Sequence, residues 1–429
     1  MFQTLVKAFK IKEIRNKILI TIALLFVYRI GCFIPVPGVY IAQGSWEGLN
    51  YLQIMNAVTG GALQYGSILA MGIGPYINAS IIVQLLSVAI PALERLSKQG
   101  EEGRKKIANI TRWVTLLLAI AQSIGIIVGF SSFIQTGKIF GAEGFGKAMS
   151  YVFLVVVYTA GAALTMWLGE RITDYGVSNG ISMLIFTGII STAGNAIVNF
   201  LGNFSMTNFW VLIGFIVVAV LIFGAIVTVD NAERKIPVQY AKQVKGRKMY
   251  GGSSTNIPIK VNSSGVMPLI FAFSLLTFPE LIFNMFGVNT TDDSWYRVWT
   301  QWVGTESILY KVIMCLLILF FAYFYQQMQF NPEDISKTIQ GNGGFIPGIR
   351  PGKPTAEHLK KISNRITLFG AIYLALIALV PSIIFGALNL GLAGAFGPTG
   401  LLIVVSVALE FNQAIESQII MKNHKGFLK

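Results

Sequence analysis

The sequence predicts an all-α polytopic membrane protein, with ten transmembrane helices in two inverted halves, and three observations predict it. Of the 429 residues, 54% are hydrophobic and only 12% charged, with a mean hydropathy of +0.65, far too apolar for a soluble globular domain. Runs of roughly 20 apolar residues, long enough to cross the hydrocarbon core, recur ten times. The net charge of +14 is also sorted along the chain: 28 of the 33 Lys and Arg fall in the two tails and in alternate inter-span segments.

The ten spans are expected at about 17–36, 75–92, 113–133, 150–169, 178–198, 208–229, 267–286, 307–327, 366–386 and 399–419. The first reads as a span and not as a cleavable signal peptide, because IPVPG follows it where a small-residue cleavage site would stand. Five Lys and Arg precede span one, six follow span two, one follows span four, seven follow span six, six follow span eight and three end the chain. Lys138, Lys147, Arg297 and Lys311 lie on the other side, and Arg29 sits inside span one. By the positive-inside rule both termini and all the long basic loops are cytoplasmic, and an even span count agrees by putting both ends on the same side.

Cutting after span five gives halves 1–198 and 208–429 with five spans each. An odd number per half makes the second enter the membrane from the opposite side, the logic of inverted repeats around a central path. The linker 199–207 is short, uncharged and on the outer side, suited to a hinge. Two loops are long, 230–266 and 331–365, and a short basic tail, 420–429, ends the chain. In the first loop Arg234, Lys235, Lys242, Lys245, Arg247, Lys248 and Lys260 accompany the alternating stretches IPVQYA and NIPIKV, which predict a β-hairpin around GRKMYGG. In the second, Gly and Pro predict a turn around Arg350 ahead of a helix entering span nine. Such loops can be tethers that touch anionic phospholipids. Their ordered turn chemistry favours protein or RNA partners.

Residues 51–90 are almost uncharged yet broken by Gly60, Gly61, Gly72, Gly74 and Pro75. Non-helical backbone survives at membrane depth only when buried in protein or lining a water-filled cavity. A half-helix is expected over 53–66, carrying Asn56, Thr59 and Gln64, with Ser67 just beyond. It is either a movable segment at the mouth of a pore or a re-entrant loop that merely packs.

Catalytic chemistry is sparse. His358 and His424 lie in cytoplasmic segments, and HExxH, GxSxG and a P-loop ending in GK[ST] are missing. Cys32 and Cys315, both in spans, make neither a disulfide framework nor a metal cage. A membrane-embedded enzyme is not expected, and no cofactor. A small-solute secondary transporter with inverted repeats, the alternative reading, would keep charged residues at the bilayer midplane. Here Glu170, Arg171, Asp230 and Glu410 fall at or near helix ends. Arg29 alone is well inside, where it would snorkel to a headgroup or cap carbonyls of another helix rather than couple ions.

Seven stretches make the reading specific: RIGCFIPVPG (29–38), GGALQYGSILAMGIGPYINASIIVQLL (60–86), SKQGEEGRKK (97–106), MWLGERITDYGVSNGISMLIF (166–186), GRKMYGGSSTNIPIKVNSSGVMPLIFAF (246–273), GFIPGIRPG (344–352) and GPTGLLIVV (397–405). On these the chain resembles, over essentially its full length, the bacterial SecY family, the central subunit of the Sec protein-conducting channel in the cytoplasmic membrane. The resemblance implies a clamshell around an hourglass pore, hinged on the outer side, with a lateral gate between spans two and three and spans seven and eight. Its waist would be a ring of Ile77, Ile81, Ile181, Ile185, Ile270 and Ile403. The half-helix would be the family's plug, here Asn56, Thr59, Gly60, Gly61, Leu63 and Gln64. Ser80, Gln84, Gln122, Ser274 and Thr277 would lie near the lateral gate.

Arg247, Lys248 and Arg350, with Lys242 and Lys245 beside them, would form a docking surface for the ribosome and the SecA motor. The family often has two consecutive arginines where this chain has Arg247 and Lys248, and Lys lacks the bidentate fork. The implied partners are SecE-like and SecG-like small subunits, SecA with ATP bound on SecA, ribosomes and signal-peptide-bearing polypeptides.

Overall fold

The computed structural model describes residues 2–39, 56, 59–97, 99–129, 134, 139–141, 143–202, 206–240, 243–245, 248–250, 254–285, 302–304, 307–387 and 398–426. Its helices in chain order are α1 (Phe2–Lys10), α2 (Lys12–Gly31), α3 (Gly74–Ala89), α4 (Pro91–Ser97), α5 (Glu101–Gly129), α6 (Gly144–Tyr175), α7 (Gly180–Gly202) and α8 (Met206–Asp230). After the strands β1 (Glu233–Tyr240), β2 (Gln243–Lys245), β3 (Lys248–Tyr250) and β4 (Ser254–Lys260) come α9 (Met267–Met285), α10 (Ile308–Gln329), α11 (Pro332–Gly341), β5 (Gly344–Phe345), α12 (Lys353–Ala387) and α13 (Pro398–Gly426).

Each of the ten segments expected to span carries one of these helices: α2, α3, α5 to α10, α12 and α13. Among the described residues, five helices are long and apolar enough to cross a membrane, and α3 with α4 makes a sixth if taken as one bent unit. The chain is therefore a multi-pass membrane protein. The α3–α4 pair bends by 105° at Ile90, which takes extended dihedrals (φ −104°, ψ 115°) because the following Pro91 disfavours the helical region. Sequence reading placed the break before α3 and missed this second one.

The expected half-helix over 53–66 is shorter than predicted. Asn56 and Thr59 are helical, but residues 60–73 run in turns, and 53–55, 57 and 58 lie outside the described residues. Gly60 (φ +70°) and Gly61 (φ +90°) take the left-handed conformation just past the helical Thr59, and Gly72 (φ +53°) takes it again in the turn that leads into α3. The Gln64 N–H donates to Asn56 Oδ1 at 2.9 Å, which closes the turn back on the helical part.

Within the first half, α5 packs between α3 and α6, and α6 carries α2 and α7 on its other faces. Within the second, α9, α10, α12 and α13 pack in succession and α8 lies on α13. The halves meet along two seams. On one, α9 packs against α3 and α5; on the other, α13 packs against α7 and α2, and α1 covers its end. One apolar cluster runs through the centre from Tyr28 and Leu69 to Ile377 and Val405.

The two long loops, expected as separate structures, join in one small domain. The predicted hairpin is present as β1 antiparallel to β4, with β2 and β3 paired beyond it. The second loop adds β5 to the free edge of β1, pairing Gln239 with Phe345 and Tyr240 with Gly344. Ile236, Val238 and Ile259 then bury against Ile339 of α11, Ile346 and Leu359 of α12. Asn331 starts α11 by accepting the Glu333 N–H at 3.1 Å, with Pro332 in the first turn where its missing N–H costs nothing.

Candidate functional site

The four helices that the resemblance places at a waist contribute to one apolar cluster. Ile77 and Ile81 project from one face of α3, Ile181 and Ile185 from one face of α7, Ile270 from α9 and Ile403 from α13. Ile77, Ile81, Ile185 and Ile403 are buried, Ile181 and Ile270 partly so, and all six belong to the same apolar cluster. The start of α7 is fixed locally. The Gly180 N–H donates to Thr173 Oγ1 at 2.9 Å and the Ile181 N–H to Asn179 Oδ1 at 3.0 Å. A Cβ at Gly180 would lie 2.0 Å from the Gly169 carbonyl of α6, so only glycine lets α7 begin here.

Beside the waist lies the turn-rich segment. Leu63 is fully buried, Thr59 is 2% exposed, and Gly60 and Gly61 are buried while Gln64 is partly so. Its flanks are tied to the chain after α2: Val36 N–H donates to the Gly66 carbonyl at 2.9 Å and Ile68 N–H to Ile34 at 3.0 Å. Arg29 of α2 donates through both terminal nitrogens to the Gly60 carbonyl, at 3.2 and 3.3 Å, and through Nη2 to Ser191 Oγ of α7 at 2.6 Å. The carbonyl it caps is thus on this segment and not on another span.

At the seam of α9 with α3 a cavity of about 100 Å³ is lined by Asn78, Ile81, Ile82, Ser274, Leu275 and Phe278. Gln84 Nε2 reaches Ser80 Oγ at 3.5 Å, while its Oε1 accepts the Tyr325 hydroxyl of α10. Tyr325 was not singled out from sequence. Its signal was there: a tyrosine in the Phe-rich run of α10 must find a partner for its hydroxyl once buried. Its ring packs 5.1 Å from Phe271 of α9 and 5.9 Å from Phe324. Gln122 is 2% exposed, and among the described residues neither of its amide atoms has a partner. It shares its side of α5 with Ala119 and Ile126, which pack with Leu63, Ala70 and Tyr158 inside the first half. Ser274 lines the cavity; the side chain of Thr277 lies outside the described residues.

The charged residues near helix ends are tied down. Arg112 of α5 forms a forked pair with Glu170 of α6 at 2.8 and 2.9 Å. Asp230 accepts from Asn262 Nδ2 at 2.8 Å and Ser406 Oγ at 2.7 Å, linking the end of α8 to α13.

On the small domain Arg350 is exposed at the tip of a turn whose carbonyl accepts the Thr355 hydroxyl at 2.8 Å. Gly348 (φ +81°) and Gly352 (φ +94°) bracket it. Lys245 and Lys248 stand opposite each other in the β2–β3 register. Lys242 and Arg247 lie outside the described residues, as do the side chains of Lys245 and Lys248.

The family model SecY matches residues 67–412. The protein translocase subunit SecY of Corynebacterium glutamicum is 43% identical over 442 residues, covering 99% of each chain. A solved SecY, described as one whose plug domain stabilises the closed state of the translocation channel and maintains a membrane seal, superposes with a TM-score of 0.63 at 19% identity, covering 94% of this chain and 92% of that one. Sec61 in the canine ribosome-channel complex from the endoplasmic reticulum superposes at 0.61 with 17% identity over the same shares.

Proposed function

This chain belongs to the SecY family, and from that membership and the geometry above we infer that it forms a protein-conducting channel for unfolded polypeptides. The observation that carries the reading is the convergence of six isoleucines from α3, α7, α9 and α13 in one apolar cluster at the junction of the halves. Such a ring excludes water by dewetting and yields around a passing chain. The transporter reading finds no support, and no catalytic chemistry is proposed.

In this reading residues 1–198 and 208–429 are the shells of a clamshell of ten spans hinged at 199–207, and about 53–66 is the plug beneath the ring. Its lateral gate is the seam of α3 and α5 with α9 and α10. Gln84 and Ser80, with Ser274 at the cavity, hold it shut until a signal sequence competes, and membrane segments leave through it into the bilayer. Gln122 and Thr277 keep their expected place near this gate as a proposal. Both termini face the cytoplasm in the bacterial cytoplasmic membrane. Arg350, Arg247, Lys248, Lys242 and Lys245 dock the ribosome, as the likeness to a ribosome-bound Sec61 suggests, and SecA, which carries the ATP. SecE-like and SecG-like subunits and anionic lipid complete the assembly.

Replacing Ile81 and Ile185 together with Ser should make the resting channel leak ions in planar bilayers. Conductance at background for that variant would remove the ring assignment.

A further inference from the structure

We propose that Arg29 is the residue that positions the plug: a guanidinium latch that holds the resting segment through the Gly60 carbonyl and is itself anchored on Ser191. The inference rests on the reading of about 53–66 as a plug.

Among the described residues, the segment between Asn56 and Gly66 is joined to the chain after α2 by the backbone bond from Val36 to Gly66, and side-chain donors from outside it reach its helical end from α2 and the residue that follows α2. There Arg29 gives Gly60 two bonds, at 3.2 and 3.3 Å, and Cys32 Sγ approaches the adjacent Thr59 carbonyl at 3.8 Å. A helix end leaves carbonyls without intrahelical partners, and a cation there meets both their lone pairs and the negative end of the helix dipole. The guanidinium suits this because its planar fork serves two acceptors at once, with Nη2 shared between Gly60 and Ser191 on α7. Phe33 braces its other side at 5.2 Å.

The position is also built for contact. A Cβ at Gly60 would lie 2.3 Å from Arg29 Nη1 and 3.0 Å from the Gly188 backbone, so the peptide can sit flat against α7 only as glycine. Gly188 is less than one turn beyond Ile185. The latch therefore places the segment's end next to the ring and binds it to α2 and α7, both in the first half. Bonds to one carbonyl and one hydroxyl, with no acid in the contact among the described residues, can be exchanged for water when an entering chain displaces the segment. That suits a reversible catch better than a permanent strut.

The test uses the whole translocase in planar bilayers and compares Arg29→Met, Arg29→Lys, Ser191→Ala and a deletion of 60–65. The expected result is a resting conductance at least tenfold above wild type for Arg29→Met and for the deletion, with Ser191→Ala and Arg29→Lys in between. Arg29→Met should also raise the translocation rate of a precursor with a shortened signal core relative to one with an intact signal, a ratio that a merely structural role would leave unchanged. If the deletion leaks while Arg29→Met, inserted at normal level, stays at background, the latch is refuted and the plug reading stands. If the deletion itself stays at background, the plug reading falls and the latch with it. Should Arg29→Met fail to accumulate, Ser191→Ala decides: background conductance and an unchanged signal ratio overturn the latch.

Discussion

Gln84 and Tyr325 are 241 positions apart in sequence and meet through one side-chain hydrogen bond across the seam proposed as the gate. The sequence exposed Gln84 as a polar residue in an apolar helix, and it exposed Arg29 as a charge inside a span. It could not supply either partner. Which carbonyl Arg29 caps, and which hydroxyl Gln84 accepts, depend on how spans far apart in the chain come together, and no local pattern encodes that. The isoleucines were readable in a different way, since motif resemblance named all six, while spacing alone grouped only Ile77 with Ile81 and Ile181 with Ile185. A hydrogen bond of this kind contributes about 1 kcal/mol net, so its loss should shift a two-state seam by about fivefold. Tyr325→Phe removes the hydroxyl and keeps the ring against Phe271. Spin labels at Ile82 and Leu275, which line the same cavity, should report a larger open fraction in Tyr325→Phe. An unchanged distance distribution would mean that the bond does not hold the gate.

At the level of elements, some boundaries were readable because they are local: Pro75 opens α3, and the alternation of Ile236 and Val238 marks β1. The stop before Pro91 and the start of α11 at Asn331 and Pro332 carry equally local signals but were not read from the sequence. The union of the two long loops was not readable, because β5 is only two residues long and carries no alternation of its own. The buried contact of Leu359 with that sheet holds the union. Leu359→Ala should destabilise the small domain by about 2–5 kcal/mol, as large-to-small changes at fully buried sites do. Limited trypsin digestion of membranes would show it as faster cleavage within 230–266. Arg350→Glu, at an exposed turn tip, should leave that digestion pattern unchanged yet reduce SecA-driven translocation, more so at low salt where screening is weak. Loss of the protein from the membrane, or normal translocation, would assign Arg350 to folding or to neither role.

Across the whole molecule the two seams differ in kind. The seam of α3 with α9 and α10, proposed as the gate, holds a cavity and has the Gln84–Tyr325 bond. The opposite seam carries the Thr4 hydroxyl bonded to Glu416 at 3.1 Å and an ion pair of Lys422 with Glu13. Beneath these, Ala8, Ile14 and Ile18 pack with Ile415 in a small closed core. A clamshell that opens on the first seam must pivot near the second, so covalent bonds at the two should have opposite effects. In a background lacking Cys32 and Cys315, Gln84→Cys with Tyr325→Cys joined by a short thiol crosslinker that contains a reducible disulfide should stop translocation and lateral release. Thr4→Cys with Glu416→Cys, joined in the same way, should leave both near the uncrosslinked rate. Reduction should restore the first pair, which separates blocked opening from damage by the substitutions, since the Tyr325 bond is absent in both states. If the Thr4–Glu416 crosslink blocks transport as fully as the gate crosslink, the halves separate on both sides, and the pivot lies elsewhere than this seam.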